Sequence, residues 1–434
     1  MPKGARRPKE FPRLDVKKVG VLGAGLMGQG IAQVAAAVGI DVVLLDQDAA
    51  SAERGKEKVK NSLMRKIEKG RTTQEKVDDT LKRILPTSDY GDLKGCEVVI
   101  EAVLKIARIK AKVTKSAEAV LDANAVFASN TSGLAITSLA QASSRPENFI
   151  GMHFFSPVEK MQMVEVIMGE KTSQETLAKA WDFILKIRKA AIVVNDSPGF
   201  YTSRVFGTFI TEGNHLLVEG VAPALIENAA KAAGMPMPPL GISDQVGLLT
   251  MYKVAQQAKK DAEAKGEQWN PSPAQGIIAK LIEVYGRYGA NPPPKDDGSP
   301  RHPAGFYEYF DDGKRGGKRI WSELQKNLSE FIEQDAEQPS GDEVKRRYLF
   351  TQCLEAARCF EEGVITNVRD GDVGVIMAVG FPAFTGGPFT YMDNYGIGAF
   401  VDDAKALARK FGARFEPPKS LREMARNNQT YYRD

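Results

Sequence analysis

The 434-residue chain holds only three cysteines, Cys96, Cys353 and Cys359, in no metal-ligand spacing. That scarcity argues against a disulfide framework and a structural zinc site, and suggests a reducing, cytoplasmic setting. Histidine is as scarce: His153, His215 and His302 are the whole supply, so any reaction that needs an imidazole has few candidates. No apolar run approaches the roughly 20 residues of a membrane-spanning helix, and no span is expected. Charge of one sign is missing too. Fifty-nine Lys and Arg against 55 Asp and Glu leave +4, too small a surplus to argue for nucleic acid. What is present, 43% hydrophobic and 26% charged residues, suits a globular chain, and the length implies two or three domains.

Residues 1–15 are basic and Pro-containing, and read as a disordered leader or linker in which Pro2, Pro8 and Pro12 would interrupt a targeting helix. From Lys17 short apolar runs alternate with helical patterns: KKVGVL, DVVLLD, CEVVIEAV, NAVFAS, NFIGMHFF, MVEVIMG and AAIVVN, with a charged helical stretch from about Ala50 to Ile84. This alternation predicts a doubly wound parallel sheet covered on both faces over residues 16–195. Asp196, Ser197 and Pro198 predict a helix start, with Asp196 as its cap and Phe200 as a packing anchor. Helical patterns then fill residues 196–310 and 311–434, interrupted by the Pro- and Gly-rich stretch 285–306. Val218–Gly247 and Glu361–Gly396 read alike, each passing from a Glu-Gly-Val helix end through a Gly-x-Pro turn to an Asp-x-x-Gly. The pattern predicts an all-α region made of one small domain duplicated.

Gly23-Ala24-Gly25-Leu26-Met27-Gly28 follows a strand and opens a helix, the context in which G-x-G-x-x-G binds a dinucleotide. The first glycine permits the turn, the second lets backbone approach a pyrophosphate, and the third allows helix and strand to pack closely. Asp46 ends the next strand, where a carboxylate accepts from a ribose 2′-hydroxyl and repels a 2′-phosphate, which favours NAD over NADP. Two further loops, after NAVFAS and around Gly151–Pro157, converge on the same crevice if their strands run parallel. Hydride abstraction from an alcohol needs a base for the hydroxyl proton, and His153, set between aromatics in the second loop, is the candidate. Taken alone, His153 could equally be a satisfied core histidine. His215 and His302 read as packing or surface residues.

Together GAGLMGQGIA, SNTSGLAIT, GMHFFSPVEKMQMVEVI and DSPGF resemble the L-3-hydroxyacyl-CoA dehydrogenases of fatty-acid β-oxidation over residues 16–430. The second helical copy, with GFPAFTGGPF, is similar to the C-terminal end of the multifunctional α-subunit rather than the short enzyme. The resemblance implies NAD-dependent oxidation of (S)-3-hydroxyacyl-CoA to 3-ketoacyl-CoA without a metal, His153 as base and Glu165 as its paired carboxylate. It implies Ser132 on the reacting oxygen and Ser203 beside the substrate. Cofactor contacts are implied at Gly23, Gly25, Leu26, Met27, Gly28, Asp46, Glu101, Ala102, Val103, Lys110, Ser132 and Ser156. The hydratase domain that precedes the dehydrogenase in multifunctional members is missing, so no hydratase activity is expected.

Three positions depart from the family pattern: Lys105 replaces a glutamate, and Ser156 and Ser203 each replace an asparagine. They are the support for a second reading, a turnover-deficient scaffold subunit binding NAD or CoA; a third is a dehydrogenase of another β-hydroxy acid on the same two-domain plan. The acyl-CoA thioester is the expected substrate, the helical half is expected to close over its acyl chain, and a thiolase or hydratase subunit is a candidate partner. The duplicated helical domain suggests either a monomer that imitates the two-subunit contact of short relatives or a homodimer.

Overall fold

The apolar runs before residue 195 become one eight-stranded sheet in the computed structural model, which describes residues 6–104, 106–264, 266, 268–269, 273–310 and 317–432. The elements run β1 (Lys18–Leu22), α1 (Leu26–Ala36), β2 (Asp41–Leu45), α2 (Ala49–Glu68), α3 (Gln74–Lys82), β3 (Ile84–Thr87), β4 (Val98–Glu101), α4 (Ala107–Glu118), β5 (Val126–Ser129), α5 (Ile136–Ala140), β6 (Phe149–Phe154), β7 (Met163–Met168), α6 (Gln174–Lys186) and β8 (Ala190–Asn195). There follow α7 (Thr202–Val218), α8 (Pro223–Ala232), α9 (Pro239–Val246), α10 (Leu248–Ala264), α11 (Pro273–Glu283), β9 (Tyr307–Phe310), β10 (Gly317–Ile320), α12 (Leu324–Asn327), α13 (Gly341–Glu361), α14 (Val368–Val379), α15 (Pro388–Tyr395), α16 (Ile397–Phe411) and α17 (Lys419–Arg426).

The strand order is β3-β2-β1-β4-β5-β6-β7-β8, so the chain changes direction across the sheet between β2 and β4, on either side of β1. The crevice outside the carboxyl ends at such a point is where open α/β sheets bind ligands. Val19, Val21, Val42, Leu44 and Ile100 are buried here with Ile31 and Ala35 of α1.

Two expectations for the sheet are corrected. It is not wholly parallel: β6 and β7 pair antiparallel, and β8 runs parallel to β7. Residues 155–162 between them are too few for a crossover, which needs about a dozen residues, so the chain must turn back. The charged stretch from Ala50 to Ile84 is two helices and then β3, whose sequence ILPT has little strand character. As the edge strand it tolerates Pro86.

Residues 6–15 form no helix or strand, yet they are not a loose leader. Arg7 is 7% exposed and donates Nε and Nη2 to the Asp182 carboxylate on α6, at 2.6 and 2.8 Å. Its remaining donors reach the carbonyls of Pro8, Phe11 and Pro12. One guanidinium thus fastens the segment, a use of its five-donor fork that lysine could not reproduce. Pro2 lies outside the described residues.

The chain divides into two compact units, residues 1–204 with 358–379, and 205–357 with 380–434. These differ from the boundaries expected at 195/196 and 310/311. Helix α14, expected in the second helical domain, belongs with the sheet, where a Cβ on Gly374 would come within 2.6 Å of Ile192 on β8. The Asn195 amide donates to Val364 at 2.9 Å in the same unit. The second unit is not purely helical either, since β9 and β10 form an antiparallel pair.

The internal repeat is visible in backbone geometry. Glycines in the left-handed region recur at matched places: Gly220 and Gly363 (φ 78° and 72°), Gly234 and Gly380 (93° and 77°), Gly247 and Gly396 (90° and 86°). Asp244 accepts the N–H groups of Phe306 and Tyr307 at 2.8 and 2.9 Å, and its counterpart Asp393 accepts those of Tyr431 and Tyr432, both at 2.9 Å. Contacts between copies are reciprocal. Arg204 Nη2 donates to Glu362 at 3.0 Å, while Arg347 Nη1 donates to Glu219 at 2.6 Å. Asn195 Nδ2 donates to the Gly363 carbonyl at 2.7 Å, and Gln338 Nε2 to that of Gly220 at 3.0 Å. Residue i of one copy meets j of the other, and j meets i, the signature of an isologous contact.

Two stability predictions follow from the second unit. Glu212, 1% exposed, is paired with Arg347 and Arg414. Arg347→Ala should cost about 3 kcal/mol in denaturant unfolding, because it leaves a fully buried carboxylate with Arg414 as its one remaining cation. Burial pushes the Asp244 carboxyl from 3.8 up to about 6, against the opposing pull of its N–H donors. A raised carboxyl binds its proton more tightly folded than unfolded, so its contribution is complete below the unfolded value and lost as pH rises through about 6. Unfolding free energy measured from pH 4 to 7 should carry that falling component in the wild type, and Asp244→Asn should lack it.

Candidate active site

The turn after β1 separates three roles for its glycines. Gly23 has φ +102°, and a Cβ there would meet the Ala102 carbonyl oxygen at 2.8 Å. Gly28 is closer packed still: its Cβ would lie 1.7 Å from the Gly23 carbonyl oxygen. At Gly25 nothing in the protein lies within 4 Å of a Cβ, and the residue is exposed. Packing explains the first and third glycines but not the second, whose bare backbone caps α1 and leaves room for a ligand. Leu26 is 71% exposed and Met27 half-buried beside it.

Asp46 supports this turn directly: Oδ2 accepts the Ala24 N–H at 2.6 Å and Oδ1 the N–H of Gln47 at 2.7 Å. Each carboxylate oxygen keeps a lone pair for a further donor. Opposite, at the end of β4, Glu101 is 1% exposed and takes Lys110 Nζ on both oxygens at 2.7 Å. The Ser129 hydroxyl and the Val103 N–H complete its set. Glu101 and Lys110, expected to touch cofactor, are thus engaged with each other beneath the crevice. Their pairing fixes the loop that presents Ala102 and Val103, both half-buried. Lys105 lies outside the described residues.

His153 sits on β6, not in the loop where the sequence suggested it. It is register partner of Glu165 on β7, and cross-strand partners project to one face at contact distance. His153 Nδ1 lies 2.9 Å from Glu165 Oε2. Glu165, 0% exposed, also accepts the Thr202 hydroxyl on Oε2 at 2.7 Å, and the N–H groups of Thr202 and Tyr201 on Oε1 at 2.9 and 3.1 Å. The other three partners are donors, so Nδ1 carries the proton and Nε2 presents its lone pair. Nε2 has no hydrogen-bond partner among the described residues. Rings of Phe155 and Phe200 flank the imidazole, centroids 4.4 and 6.2 Å away.

The chain reaches Glu165 through a forced turn. Gly199 (φ 78°) and then Phe200 (φ 50°) take left-handed conformations, costly for a phenylalanine and characteristic of functional sites. Helix α7 therefore starts at Thr202, later than the DSPGF motif suggested, and aims its first N–H groups at the carboxylate. Asp196, expected to cap that helix, instead accepts the Ile136 and Thr137 N–H groups at 3.0 and 2.7 Å, capping α5.

Ser132 is half-buried after β5, and Asn130 ties that segment to β6 by accepting the Phe154 N–H at 3.0 Å. Ser156 is exposed and joined to Pro157 by a cis bond, and Ser203 is half-buried in the first turn of α7. Sequence reasoning missed Thr202 and the two backbone donors. The available signal was a threonine directly after a Gly-Phe turn, opening a helix. His215 is held down to about 4, mainly by burial and then by Arg414, and is a neutral packing residue.

Comparison with known proteins identifies the family. Residues 18–197 match the 3-hydroxyacyl-CoA dehydrogenase NAD binding domain, and residues 199–289 that family's C-terminal domain. The chain belongs to the 3-hydroxyacyl-CoA dehydrogenase family. NAD-dependent dehydrogenase activity, and NAD as cofactor, come with that membership. The fatty acid oxidation complex subunit alpha of Pseudomonas syringae is 35% identical over 418 residues, covering 96% of this chain and 56% of that protein. The chain thus spans about half the length of the curated relatives it matches. An (S)-3-hydroxybutyryl-CoA dehydrogenase from Ralstonia eutropha is 35% identical, covering 63% of this chain and 96% of its own, with TM-score 0.58. The fold extends further along 3-hydroxybutyryl-CoA dehydrogenase from Escherichia coli, with TM-score 0.77 at 24% identity, covering 95% of this chain and 99% of that one. No helix among the described residues is long and apolar enough to cross a membrane.

Two alanine substitutions separate ligand-facing from packing glycine. Gly25→Ala should keep its melting temperature but weaken NADH binding by about tenfold or more, roughly 1.4 kcal/mol, read by NADH fluorescence titration. Gly28→Ala should fail by thermal melt, because its methyl group meets backbone rather than a movable side chain.

Proposed function

We propose that this chain catalyses reversible oxidation of (S)-3-hydroxyacyl-CoA to 3-ketoacyl-CoA, with His153 as general base and Glu165 as its orienting carboxylate. The observation that carries the proposal is the 2.9 Å contact from Nδ1 to a fully buried carboxylate, which leaves Nε2 directed away from its anchor. Bound NAD supplies the hydride acceptor. His153 Nε2 takes the C3 hydroxyl proton as the C3–H bond breaks and the carbonyl forms. Glu165 stabilises the imidazolium through the same hydrogen bond, then His153 passes the proton to water. In this reading Ser132 hydrogen-bonds the reacting oxygen and Asp46 the adenosine ribose.

Ser203 and Ser156 keep hydrogen-bonding capacity where the family pattern has asparagine, with shorter reach. An unused scaffold would have no need of a left-handed phenylalanine and four donors spent on one carboxylate. The reciprocal Arg204–Glu362 and Arg347–Glu219 pairs support a chain that provides from its own two copies the contact short relatives make between subunits. An acyl-CoA substrate and partner subunits of a complex fit the names of the relatives, and a hydratase or thiolase subunit is the partner proposed.

His153→Ala should lower acetoacetyl-CoA reduction, followed by NADH absorbance, by about 10²–10⁴-fold, the usual range for losing a general acid or base. NADH affinity should stay within about twofold, since the imidazole does not touch the glycine turn that binds the dinucleotide. Turnover at the wild-type rate would refute the assignment.

A further inference from the structure

We propose that Thr202 is a positioning residue for the reaction: its hydroxyl fixes the orientation of the Glu165 carboxylate and through it the imidazole of His153. The proposal rests on the assignment of His153 as base and adds to it a residue that does not contact the reacting atoms.

The two oxygens of Glu165 are held differently. Oε1 takes the backbone N–H groups of Tyr201 and Thr202 at 3.1 and 2.9 Å. Oε2, which faces His153 Nδ1 at 2.9 Å, has one other partner, the Thr202 hydroxyl at 2.7 Å. The terminal torsion of a glutamate is broad and roughly two-fold, so two donors on Oε1 leave the carboxylate plane poorly defined. A second donor on Oε2 defines it. Thr202 suits the task because its β-branched side chain is stiff at χ1, and it is itself 0% exposed in the first turn of α7. Water is therefore poorly placed to substitute for the hydroxyl.

The hydroxyl also selects which lone pair of Oε2 is left for the imidazole. Removing it lets the carboxylate rotate and takes the Nδ1 hydrogen bond, hence the aim of Nε2, off its line. Misplacement of a catalytic group lowers the rate of the chemical step while leaving substrate and cofactor binding alone.

The test compares wild type, Thr202→Val and Thr202→Ser in acetoacetyl-CoA reduction, with the proton resonance of the His153 Nδ1–H recorded in parallel. Only three histidines contribute, and the resonance is assigned by its loss in His153→Ala. Thr202→Val should lower kcat about tenfold with KM and NADH affinity within about twofold, and should shift or broaden the resonance. Thr202→Ser should return both toward wild type. In a Glu165→Gln background, Thr202→Val should add little, since the two residues act as a unit. If Thr202→Val does not fold, Thr202→Ala deletes the same hydroxyl without added bulk.

Wild-type kcat with an unmoved resonance in the valine variant would overturn the proposal. So would equal impairment of the valine and serine variants with the resonance in place, which marks a purely structural residue. Absence of turnover in wild type would instead refute the assigned reaction, and the resonance comparison would still decide the role of Thr202.

Discussion

One carboxylate organises the site. Glu165 lies at 0% exposure among strands that offer it no solvent, and a buried charge is tolerable only with its lone pairs engaged. Its partners come from three residues: His153 on β6 supplies the imidazole, Tyr201 just before α7 supplies an N–H, and Thr202, which opens α7, supplies an N–H and a hydroxyl. The requirement therefore binds an antiparallel strand pair to a helix start. It also explains the left-handed turn at Gly199 and Phe200, which delivers those N–H groups where a relaxed chain would not. Local strain is offset by satisfying a charge that would otherwise cost several kcal/mol.

The cofactor side of the crevice was the more legible half of the sequence. Gly23, Gly25 and Gly28 each have a separate physical reason that residue type and spacing already imply, and Asp46 falls at the end of β2 as the motif requires. These constraints are local, set within about 30 residues of chain by a strand, a turn and a helix. The half around His153 and Glu165 was less legible because its geometry is not local. His153 reads as a loop residue between aromatics, and only the antiparallel register makes Glu165 its neighbour. The clue was a length: residues 155–162 cannot carry a crossover helix, so the second run had to return alongside the first.

Other misreadings have similar causes. β3 was absorbed into a charged helical stretch because ILPT offers two apolar residues and a proline, and an edge position is what makes it acceptable. The leader looked disordered by composition, but composition does not register that Arg7 meets a buried aspartate 175 residues away. Helix α14 was placed by its resemblance to an earlier segment. The duplicate keeps its internal turns, shown by the paired left-handed glycines, while one of its helices serves the sheet. Sequence similarity between repeats reports shared local structure and leaves the packing partner open.

The polar contacts of the repeat show what reciprocity can specify. Apolar helix faces attract one another without a strong preference for register, and a slip by one turn keeps much of the buried area. A buried ion pair gains little net stability over a hydrophobic alternative, yet it is severe on a misaligned partner. Arg347 reaches Glu212 on α7 and Glu219 just past its end, seven residues on, through Nε and Nη1 at 2.6 Å each, so a one-turn slip would break both contacts. The Gln338 amide adds a third point at the Gly220 carbonyl. Asn195 and Arg204 make the matching contacts to Gly363 and Glu362 from the other copy. The arginine–glutamate and amide–carbonyl fixtures each occur twice with roles exchanged, once within each compact unit, so an error in local register is penalised inside each unit separately.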